Sequence, residues 1–522
     1  MKLKKTILLT LIMLIIFTMG SVSANDENIT DCLTVNGESD IQYSVEEDSD
    51  LEIADLKDNK LGDSSAGDFN DIQSLVNNAN EGDIIELSGS YVSSGKAVTI
   101  DKPLTIYGNG ATLNAKGLSR AFLIESDNVI LIDIAFSNGF TDIKDPGDGG
   151  GAIFSTCNNC SIISCSFLDC HSGKDIANSG AISFSGDCNT IDNCNFVDCY
   201  VKYDSSIAGA IGIFGKYNAI NNCDFSNSYA TGSDGAISVN GEHNSIINCS
   251  FNNCHTYGNP VGCSGGAIGI SEKYNSIVNC SFNNCYSEST VALGGAIYLH
   301  DYCSVVSCSF KNCYSKGSNS CGGTISLNEK CSVSNSIFEN CFVSGDYSTG
   351  GAIQTADKSS VVNCSFKNCY AKGSYSSGGA IFVEGTKGTI SKSNFINCHV
   401  NTKYTKTAAL DTNGYKCSVD GCKFADNRVS TKFTASAKTF KVKTKTKKYT
   451  AKLTTNKNKA MKSVKVTLKV KGKTYTAKTN SKGKSTFKLT KLNKKGKFKA
   501  TIKFKGSTNY KGATKKVYIT VK

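Results

Sequence analysis

The sequence predicts an all-β protein: a right-handed parallel β-helix of about 14 coils, followed by a small immunoglobulin-like β-sandwich. Two observations carry this prediction. A Gly-Ala-Ile motif and a phenylalanine return every 26–31 residues between Gly151 and Phe424, and a lysine-rich segment of different texture follows from Thr431. A regular period of this length, rich in glycine, asparagine and β-branched residues, is typical of one solenoid coil per repeat.

The first 67 residues divide into two predicted segments. Residues 1–24 begin with lysines and contain the apolar run Ile7–Met19, which indicates a secretory signal peptide cleaved between Ala24 and Asn25. An uncleaved membrane anchor is the alternative, but the run is short for the ~20 residues of a membrane span. Residues 25–67 hold 13 acidic side chains, so we expect a solvated, mostly disordered leader. The mature protein is then expected to be extracellular, at the cell surface, with no transmembrane anchor.

Residues 68–430 are predicted to form the β-helix, capped at its start by one α-helix. Phe69, Ile72 and Val76 recur at helical spacing behind Asp68, a residue type that favours the N-cap. Short β-patterned runs follow at Asp83–Leu87, Ala97–Ile100, Leu104–Tyr107, Ala121–Ile124 and Val129–Phe136. One amphipathic helix before many short strands is typical of a capped β-solenoid.

Each repeat carries the same residue type at the same distance from its phenylalanine. Ile or Val stands five residues before the ring, and Asn or Asp stands two residues after it. The apolar column predicts an interior row. The Asn column predicts a sharp corner, because this side chain bonds neighbouring backbone and tolerates left-handed dihedral angles. The Gly-Ala pair predicts a second tight place that only small residues fit.

The 25 cysteines also fall into columns, most of them two residues before or three residues after the phenylalanine. Their repetition in coil after coil indicates a packing role for the thiol. Like cysteines of adjacent coils would also lie within disulfide reach, so vertical disulfide bonds are the alternative. Cys157 and Cys160 form a lone C-x-x-C pair, and we expect no metal site.

An aromatic ring stands four residues after the phenylalanine in nine consecutive coils. It is Tyr200, Tyr229, Tyr286, Tyr314 and Tyr370 in five of them, and His or Phe in the others. Two interpretations are open. Rings of neighbouring coils would stack on one another and stabilise the rod, or an exposed strip would stack on the sugar rings of a glycan. These five tyrosines are the candidate binding residues.

Residues 431–522 are predicted to form a separate, lysine-rich, immunoglobulin-like domain, because apolar and polar residues alternate along its short segments. From Ser430 to Lys522 there are 30 lysines and no arginine or acidic residue, whereas the remaining 27 basic and 45 acidic residues give the rest of the chain a charge of −18. The positive electrostatic field of these 30 lysines favours an anionic cell-wall polymer or surface glycan as partner. Because the chain is expected to be exported, we expect no nucleic acid. A lysine-coated domain without a partner is the alternative.

The motifs together resemble known families. The Gly-Gly-Ala-Ile and Phe-x-Asn repeats are similar to those of right-handed parallel β-helix proteins of the pectate-lyase-like class and of the polymorphic outer membrane proteins of chlamydiae. The runs Gly82–Leu87 and Leu104–Gly110, with the basic tail, resemble the adhesin-like proteins of methanogenic archaea. This resemblance implies an exported, surface-exposed, adhesin-like protein whose β-helix loops bind glycans or proteins of another cell.

The alternative function is a secreted polysaccharide lyase or glycoside hydrolase of the pectate-lyase-like fold. Lyases of that fold use clustered aspartates for calcium and an arginine near the scissile bond, but Arg120 and Arg428 are the only arginines and stand near the two ends of the β-helix. Inverting hydrolases need paired carboxylates, whereas Asp169 and Asp198 belong to the Asn column. We therefore predict that the chain is not an enzyme and has no catalytic residues, cofactor or metal.

Overall fold

The structure is a computed structural model that describes residues 66–141, 149–173, 178–202, 206–258, 262–401, 409–425, 430–456, 458–507 and 510–522. The predicted signal peptide, its cleavage position between Ala24 and Asn25, and nearly all of the acidic leader lie outside these residues. The chain divides into two compact units, and the boundary between them in the sequence lies between Phe424 and Ala425. In the described ranges, no helix has the length and apolar character needed to cross a membrane.

The first unit is a parallel β-solenoid that begins with the α-helix Phe69–Asn78. The Asp68 carboxylate accepts the backbone N–H of Asn70 at 2.8 Å, and the Asp71 carboxylate accepts the backbone N–H of Asp68 at 2.8 Å. These bonds satisfy N–H groups that the first helical turn leaves unpaired. The helix buries three apolar side chains, those of Phe69, Ile72 and Val76. The predicted capping helix is therefore confirmed.

Among the described residues, four parallel sheets run along the solenoid. The long sheet has 25 strands: Ala66–Asp68, Ile84–Glu86, Ser90–Val92, Thr105–Asn114, Ile130–Ser137, Ser161–Ile163, Ser166–Leu168, Thr190–Asp192, Asn195–Val197, Ala219–Asn221, Asp224–Ser226, Ser245–Ile247, Ser250–Asn252, Ser276–Val278, Ser281–Asn283, Ser304–Val306, Ser309–Lys311, Ser332–Ser334, Ile337–Glu339, Ser360–Val362, Ser365–Lys367, Thr389–Ser391, Asn394–Ile396, Ser418–Asp420 and Lys423–Ala425. From Ser161 onward each coil gives it two strands.

The other three sheets take one strand from a coil. The Gly-Ala-Ile sheet has Val98–Ile100, Phe122–Ile124, Ile153–Ser155, Ile182–Phe184, Ile211–Ile213, Ile237–Val239, Ile268–Ile270, Ile297–Leu299, Ile325–Leu327, Ile353–Thr355, Ile381–Val383 and Leu410–Asp411. The aromatic sheet has Phe140–Thr141, His171–Ser172, Tyr200–Val201, Tyr229–Ala230, His255–Tyr257, Tyr286–Glu288, Tyr314–Lys316, Phe342–Ser344, Tyr370–Lys372 and His399–Asn401. The outer sheet has Cys263–Ser264, Val291–Leu293, Asn319–Cys321, Tyr347–Thr349 and Tyr375–Ser377.

These sheets confirm the predicted fold class. The 12 strands of the Gly-Ala-Ile sheet correspond to about 12 turns, slightly fewer than the number expected from the sequence. Equivalent residues are Cα partners in successive coils, as Ile297 with Ile325 and Phe310 with Phe338 are. The sequence repeat therefore sets the register in which the strands of successive coils pair.

The Asn column forms the expected corner. Each described residue of this column has a positive φ, for example 55° at Asn312, 58° at Asn340 and 58° at Asn368. The side-chain amide of Asn368 donates to the side-chain oxygen of Asn340 at 3.0 Å, and Asn340 donates to Asn312 at 3.2 Å. The left-handed backbone turns the chain between two sheets, and the amide ladder joins one turn to the next.

The phenylalanine column fills the interior. Neighbouring rings from Phe136 to Phe424 stack with centroids 4.7–5.0 Å apart and nearly parallel planes. Most of these rings are fully buried, and the Ile/Val column packs in the same core. Stacked rings bury apolar area and gain ring–ring attraction at every coil.

The cysteine columns pack in the same interior. Of the described cysteines, 23 are free thiols and most are buried. The Cys308 Sγ accepts the backbone N–H of Cys280 at 3.4 Å, and in the following coil the Ser336 Oγ accepts the N–H of Cys308 at 3.1 Å. Serine thus replaces cysteine in one role, that of a small acceptor beneath a backbone donor. Burial raises the pKa of the Cys364 thiol to about 11, so this thiol is a poor nucleophile at neutral pH.

The second unit packs a three-stranded sheet against a five-stranded sheet. The first has Thr431–Thr434, Lys447–Thr455 and Lys484–Leu489, and the second has Lys438–Phe440, Lys465–Val470, Lys473–Lys478, Gly496–Phe504 and Ala513–Val521. Tyr449 and Leu453 from one sheet share a core with Val466, Ile502 and Ile519 from the other. The unit is therefore a small β-sandwich, and its assignment to the immunoglobulin-like class stays a prediction.

The two ends of the solenoid differ. The first coil lies under the buried face of the helix, whereas the last coil exposes two residues of its apolar columns, Val419 by 43% and Phe424 by 56%. Phe424 stacks on Phe395 at 4.8 Å and belongs to the last strand of its column.

We expect Phe310→Ala to lower the free energy of unfolding by about 3–5 kcal/mol, because it removes a fully buried ring from between two others. Phe424→Ala is the matched control, since this ring belongs to the same column but is more than half exposed. We expect less than half the loss there. Denaturant unfolding of the full chain measures both, and equal losses would contradict an interior role for the column.

Candidate functional site

The aromatic column predicted as a binding strip forms the first strand position of the aromatic sheet. From His171 to His399 its rings stack with centroids 4.6–5.7 Å apart. Tyr286 and Tyr314, for example, lie 5.0 Å apart with planes 3° from parallel. The predicted stacking between coils is therefore present, and neighbouring rings cover one another's faces.

The five tyrosines of this strip are half-buried. The Tyr314 hydroxyl donates to the Glu288 carboxylate at 2.9 Å. Burial, with smaller contributions from nearby Tyr257 and Asp residues, raises the pKa of Tyr229 to about 12, so this phenol remains a hydrogen-bond donor at neutral pH. Since the ring faces are covered, the strip offers a glycan hydroxyl groups rather than flat rings. Whether Tyr200, Tyr229, Tyr286, Tyr314 and Tyr370 bind a glycan stays a prediction.

A second surface lies where the outer sheet turns into the Gly-Ala-Ile sheet. Gly294 stands at this corner with φ 62°, and a Cβ atom there would lie 2.0 Å from the Ile297 carbonyl oxygen. At the following Gly295 a Cβ atom would lie 2.1 Å from the Tyr314 carbonyl oxygen, which confirms the tight place predicted for the Gly-Ala pair. The chain turns tightly from one sheet to the other at this corner, and we call the outward faces of the two sheets on either side of it the trough.

The Gly-Ala-Ile sheet forms the floor of the trough. Its outer strand residues, such as Ile297 and Leu299, point into the core, so the middle residue points outward. In five successive coils that middle residue is Gly269, Tyr298, Ser326, Gln354 and Phe382. The Ser326 hydroxyl donates to the Gln354 side-chain oxygen at 2.9 Å, and the Gln354 amide donates to Glu384.

The outer sheet forms the wall of the trough. Side chains two residues apart on a strand share a face, so Asn319 lies on the face of Cys321, and Tyr347 and Tyr375 continue its column in the next coils. Burial first, and then the charge of Glu384, raise the pKa of the Cys321 thiol on this face. Tyr347 and Tyr375 are 57% and 54% exposed, and their rings stack at 5.1 Å.

One end of the trough contains a buried carboxyl group. A Cβ atom on Gly269 would lie 1.7 Å from the Asp234 Oδ1, so the carboxyl occupies the space that the glycine leaves. The Ser238 hydroxyl donates to Asp234 at 2.8 Å, and the Ser264 hydroxyl donates to it at 3.3 Å. Burial outweighs these two bonds and raises the pKa of Asp234 to about 7. Gly269 and Gln354 are three coils apart, which places the Asp234 and Glu384 carboxyls ~14 Å apart, beyond the roughly 5–9.5 Å of a glycosidase pair.

The next coils contribute Tyr298, His300 and Asn328, of which the tyrosine and the histidine carry proton-transfer groups. Tyr298 and His300 stand two residues apart, and Asn328 follows one coil on from His300. The Asn328 amide donates to the Tyr298 hydroxyl at 3.3 Å. The His300 Nδ1 atom is buried and has no hydrogen-bond partner among the described residues. Tyrosine and histidine are residue types that act as general acids and bases.

The trough has no counterpart among the predictions from the sequence. Its residues occupy columns of mixed composition, such as Gly269, Tyr298, Ser326 and Gln354, in which no residue type repeats. The sequence does contain a signal for it, which is a departure from the repeat: a bulky polar residue stands where neighbouring coils have Gly or Ser. Within the described ranges, no group of three or more His, Cys, Asp or Glu side chains is arranged to hold a metal ion.

No known protein family matches the chain by sequence, and no curated protein matches it. Solved structures of similar fold include a PL6 alginate lyase in complex with a trisaccharide, at 13% identity and TM-score 0.44, covering 69% of this chain and 84% of that one. The tailspike protein of E. coli bacteriophage HK620 in complex with a pentasaccharide is 10% identical at TM-score 0.35, covering 84% and 81%. The A-module of Azotobacter vinelandii mannuronan C-5 epimerase AlgE6 is 10% identical at TM-score 0.34, covering 68% and 94%. The likeness concerns the β-solenoid.

These comparisons contradict the prediction that the chain is not an enzyme, because two of the three structures are a lyase and an epimerase. We withdraw that prediction. It rested on the scarcity of arginine and of paired carboxylates. These are only two of the kinds of group that a protein can use for catalysis. Tyrosine and histidine serve the same purpose, and Tyr298 and His300 lie on the trough floor.

We expect the stability of the chain to fall as the pH rises from about 4 to about 7, because of Asp234. In this window the unfolded chain loses the Asp234 proton while the folded chain, whose pKa is about 7, retains it. Asp234→Asn cannot ionise, and at pH 7 we expect it to be more stable than the native chain by up to about 4 kcal/mol.

The measurement is the thermal midpoint of the native chain and the variant at several pH values. Asp133→Asn is the matched control, because Asp133 has a similar left-handed backbone, φ 55° against 63° for Asp234, but is exposed. A native chain and an Asp234 variant with parallel pH profiles would contradict the burial of this carboxyl.

Proposed function

We propose that the chain is a carbohydrate-binding β-solenoid that holds an extended glycan in the trough. The observation that carries this proposal is the exposed Tyr347–Tyr375 pair on the wall, in which each ring stacks on one face of the other. Tyr298 and Asn328 add hydrogen-bonding groups on the floor. Sugar rings have apolar faces that pack on aromatic rings, and hydroxyl groups that pair with amide, phenol and carboxylate groups. Five coils at ~4.8 Å spacing give the trough a length of about 20 Å, which suits a linear chain of sugars.

We further propose that the protein acts outside the cell as a surface adhesin-like protein. The composition of residues 1–24 supports export, and the resemblance of the repeats to those of adhesin-like proteins supports a role in binding glycans or proteins of another cell. The lysine-rich second unit supports association with an anionic polymer such as a cell-wall glycan. In this proposal the rod recognises a glycan, and the second unit adds an attraction that salt weakens.

The test is binding of the purified chain to an array of neutral and acidic polysaccharides at low and high salt. We expect binding to some members to survive high salt, because contacts in the trough do not depend on net charge. Tyr347→Ala combined with Tyr375→Ala should weaken this salt-resistant binding at least tenfold, about 1.4 kcal/mol. Tyr286→Ala combined with Tyr314→Ala is the control on the aromatic strip, with thermal unfolding to verify folding.

Each alternative outcome contradicts part of the proposal. Loss of salt-resistant binding only in the strip variant would assign the glycan to the predicted strip of Tyr200, Tyr229, Tyr286, Tyr314 and Tyr370 instead of the trough. Binding that disappears entirely at high salt would leave only the attraction of the lysine-rich unit. An array without any bound glycan would contradict the carbohydrate function.

A second candidate function is conversion of the bound polysaccharide, and the Tyr298, His300 and Asn328 group favours it. In a β-elimination, a base removes the proton on the carbon next to a uronate carboxylate, its electron pair forms a carbon–carbon double bond, and the glycosidic oxygen leaves with a proton from an acid. Histidine and tyrosine can supply this base and acid, and the amide of Asn328 can bond the carboxylate.

Activity is measured with polymannuronate, polyguluronate, polygalacturonate and hyaluronate, by ultraviolet absorbance for double bonds and by reducing ends for any cleavage. We expect Tyr298→Phe and His300→Gln each to lower the rate at least 100-fold. Tyr302→Phe is the matched control, because this tyrosine of the same coil is 38% exposed and stands outside the trough. An unchanged rate in both trough variants, or no product from any polymer, would contradict the candidate.

A further inference from the structure

The exposed face of the three-stranded sheet in the second unit carries only lysine and threonine on its two paired long strands. Along Lys447–Thr455 the side chains of Lys448, Thr450 and Lys452 are exposed, and along Lys484–Leu489 those of Lys484, Thr486 and Lys488 are. The alternate residues, such as Tyr449 and Phe487, are buried in the core. The sheet therefore has one apolar face and one flat, basic face.

The register of the two strands places lysine opposite lysine. Lys448 is paired with Lys488 and Lys452 with Lys484, while Thr450 is paired with Thr486 between them. The two threonine hydroxyl oxygens lie 3.1 Å apart. Like charges directly opposite on antiparallel strands repel each other and destabilise the sheet. From Ser430 to Lys522 there is no acidic side chain to neutralise them. We call these four lysines the quartet.

The five-stranded sheet of the same unit arranges its lysines differently. Lys469 is paired with Thr501, Lys499 with Tyr518 and Lys503 with Thr514. Apart from one pair at the edge, an exposed lysine there has an uncharged residue opposite, which separates the charges. A high lysine content therefore does not by itself produce the quartet.

One lysine pair of the five-stranded sheet does not follow this rule, and it borders the quartet. Lys465 is paired with Lys478 at the edge of that sheet. Lys478 lines a depression of about 500 Å³ together with Lys484, Thr486 and Lys488. The depression lies between two edge strands, Lys473–Lys478 and Lys484–Leu489, which belong to different sheets. A fifth ammonium group thus lines the same depression as Lys484 and Lys488.

We propose that the quartet, with Lys478, binds a linear polyanionic polysaccharide through its carboxylate or sulfate groups. Opposed lysines on paired strands stand ~5 Å apart, and lysines four residues apart on one strand stand ~13 Å apart. Anionic groups of an extended polymer placed between them neutralise both pairs at once, and the threonine hydroxyls bond sugar oxygens. The inference rests on the part of the proposed function that gives the second unit an anionic polymer, and it names the residues and the ligand class.

The chemistry of this face favours a polysaccharide over a nucleic acid. The segment from Ser430 to Lys522 contains no arginine, the residue that binds phosphate through two parallel hydrogen bonds. The quartet and its threonines carry no aromatic ring on which a base can stack, and Tyr475 is the one aromatic residue among those that line the depression. Lysine and threonine provide point charges and hydroxyl groups, which suit carboxylates, sulfates and sugar hydroxyls.

The experiment compares two variants of the full chain that lose the same charge. The quartet variant carries Lys448→Gln, Lys452→Gln, Lys484→Gln and Lys488→Gln. The control variant carries Lys469→Gln, Lys499→Gln, Lys503→Gln and Lys516→Gln, all exposed on the five-stranded sheet. Dissociation constants for polygalacturonate, dextran sulfate, neutral dextran and single-stranded DNA are measured at several salt concentrations.

We expect the quartet variant to lose at least tenfold in affinity for polygalacturonate or dextran sulfate, and the control variant less than threefold. The salt dependence should become shallower in the quartet variant, because fewer ions are released on binding. Its thermal midpoint at low salt should stay the same or rise, since the repulsion between the opposed lysines is gone.

Three results would overturn the inference. Equal losses in both variants would mean that net charge alone attracts the polymer. Tighter binding of DNA than of both anionic polysaccharides would assign the face to nucleic acid. The absence of any binding by the native chain would leave the quartet without this role. Tyr347→Ala combined with Tyr375→Ala separates this inference from the trough, because that variant should bind dextran sulfate as the native chain does.

Discussion

The structure depends on one constraint: each coil lies in parallel register on the coil before it, about 4.8 Å away. Under this constraint every position meets its own equivalent above and below, so a repeated side chain is stabilised by stacking on a copy of itself or on a similar group. The rings of Phe282, Phe310 and Phe338 satisfy this rule as a stack, and the amides of Asn340 and Asn368 satisfy it as a hydrogen-bond ladder. The backbone bonds between coils and the interior columns therefore have a common cause.

The same constraint shapes the outer surface. In a column with the same residue type in every coil, the side chains contact one another. The rings of the aromatic strip cover their neighbours' faces in this way. A column whose residue type changes from coil to coil leaves groups unmatched. The floor of the trough is such a column, where Gly269 makes space for Asp234 and Tyr298 stands between a glycine and a serine. Recognition is therefore expected where the repeat is broken.

This difference explains what the sequence could predict. The helix behind Asp68, the interior phenylalanines and the left-handed asparagines follow from local chemistry repeated many times, and all three are confirmed. The outer sheet was not predicted, because strands such as Tyr347–Thr349 have no fixed motif and depend on partners one coil away. The burial of Asp234 was not predicted either, since it depends on the missing side chain of Gly269 in the next coil. The pairing of Lys448 with Lys488 required the strand register.

The unequal ends of the solenoid have a consequence for how such a chain changes over generations. The N-terminal helix closes one end with contacts specific to the first coils, whereas the column that finishes at Phe424 ends on a ring like every ring before it. A coil duplicated or deleted between these ends meets the same neighbours as the coil it copies or replaces. We therefore expect length variants to fold with the same cap and the same termination. Mutation can therefore change the length of the solenoid in steps of one coil, while the binding surfaces elsewhere stay intact.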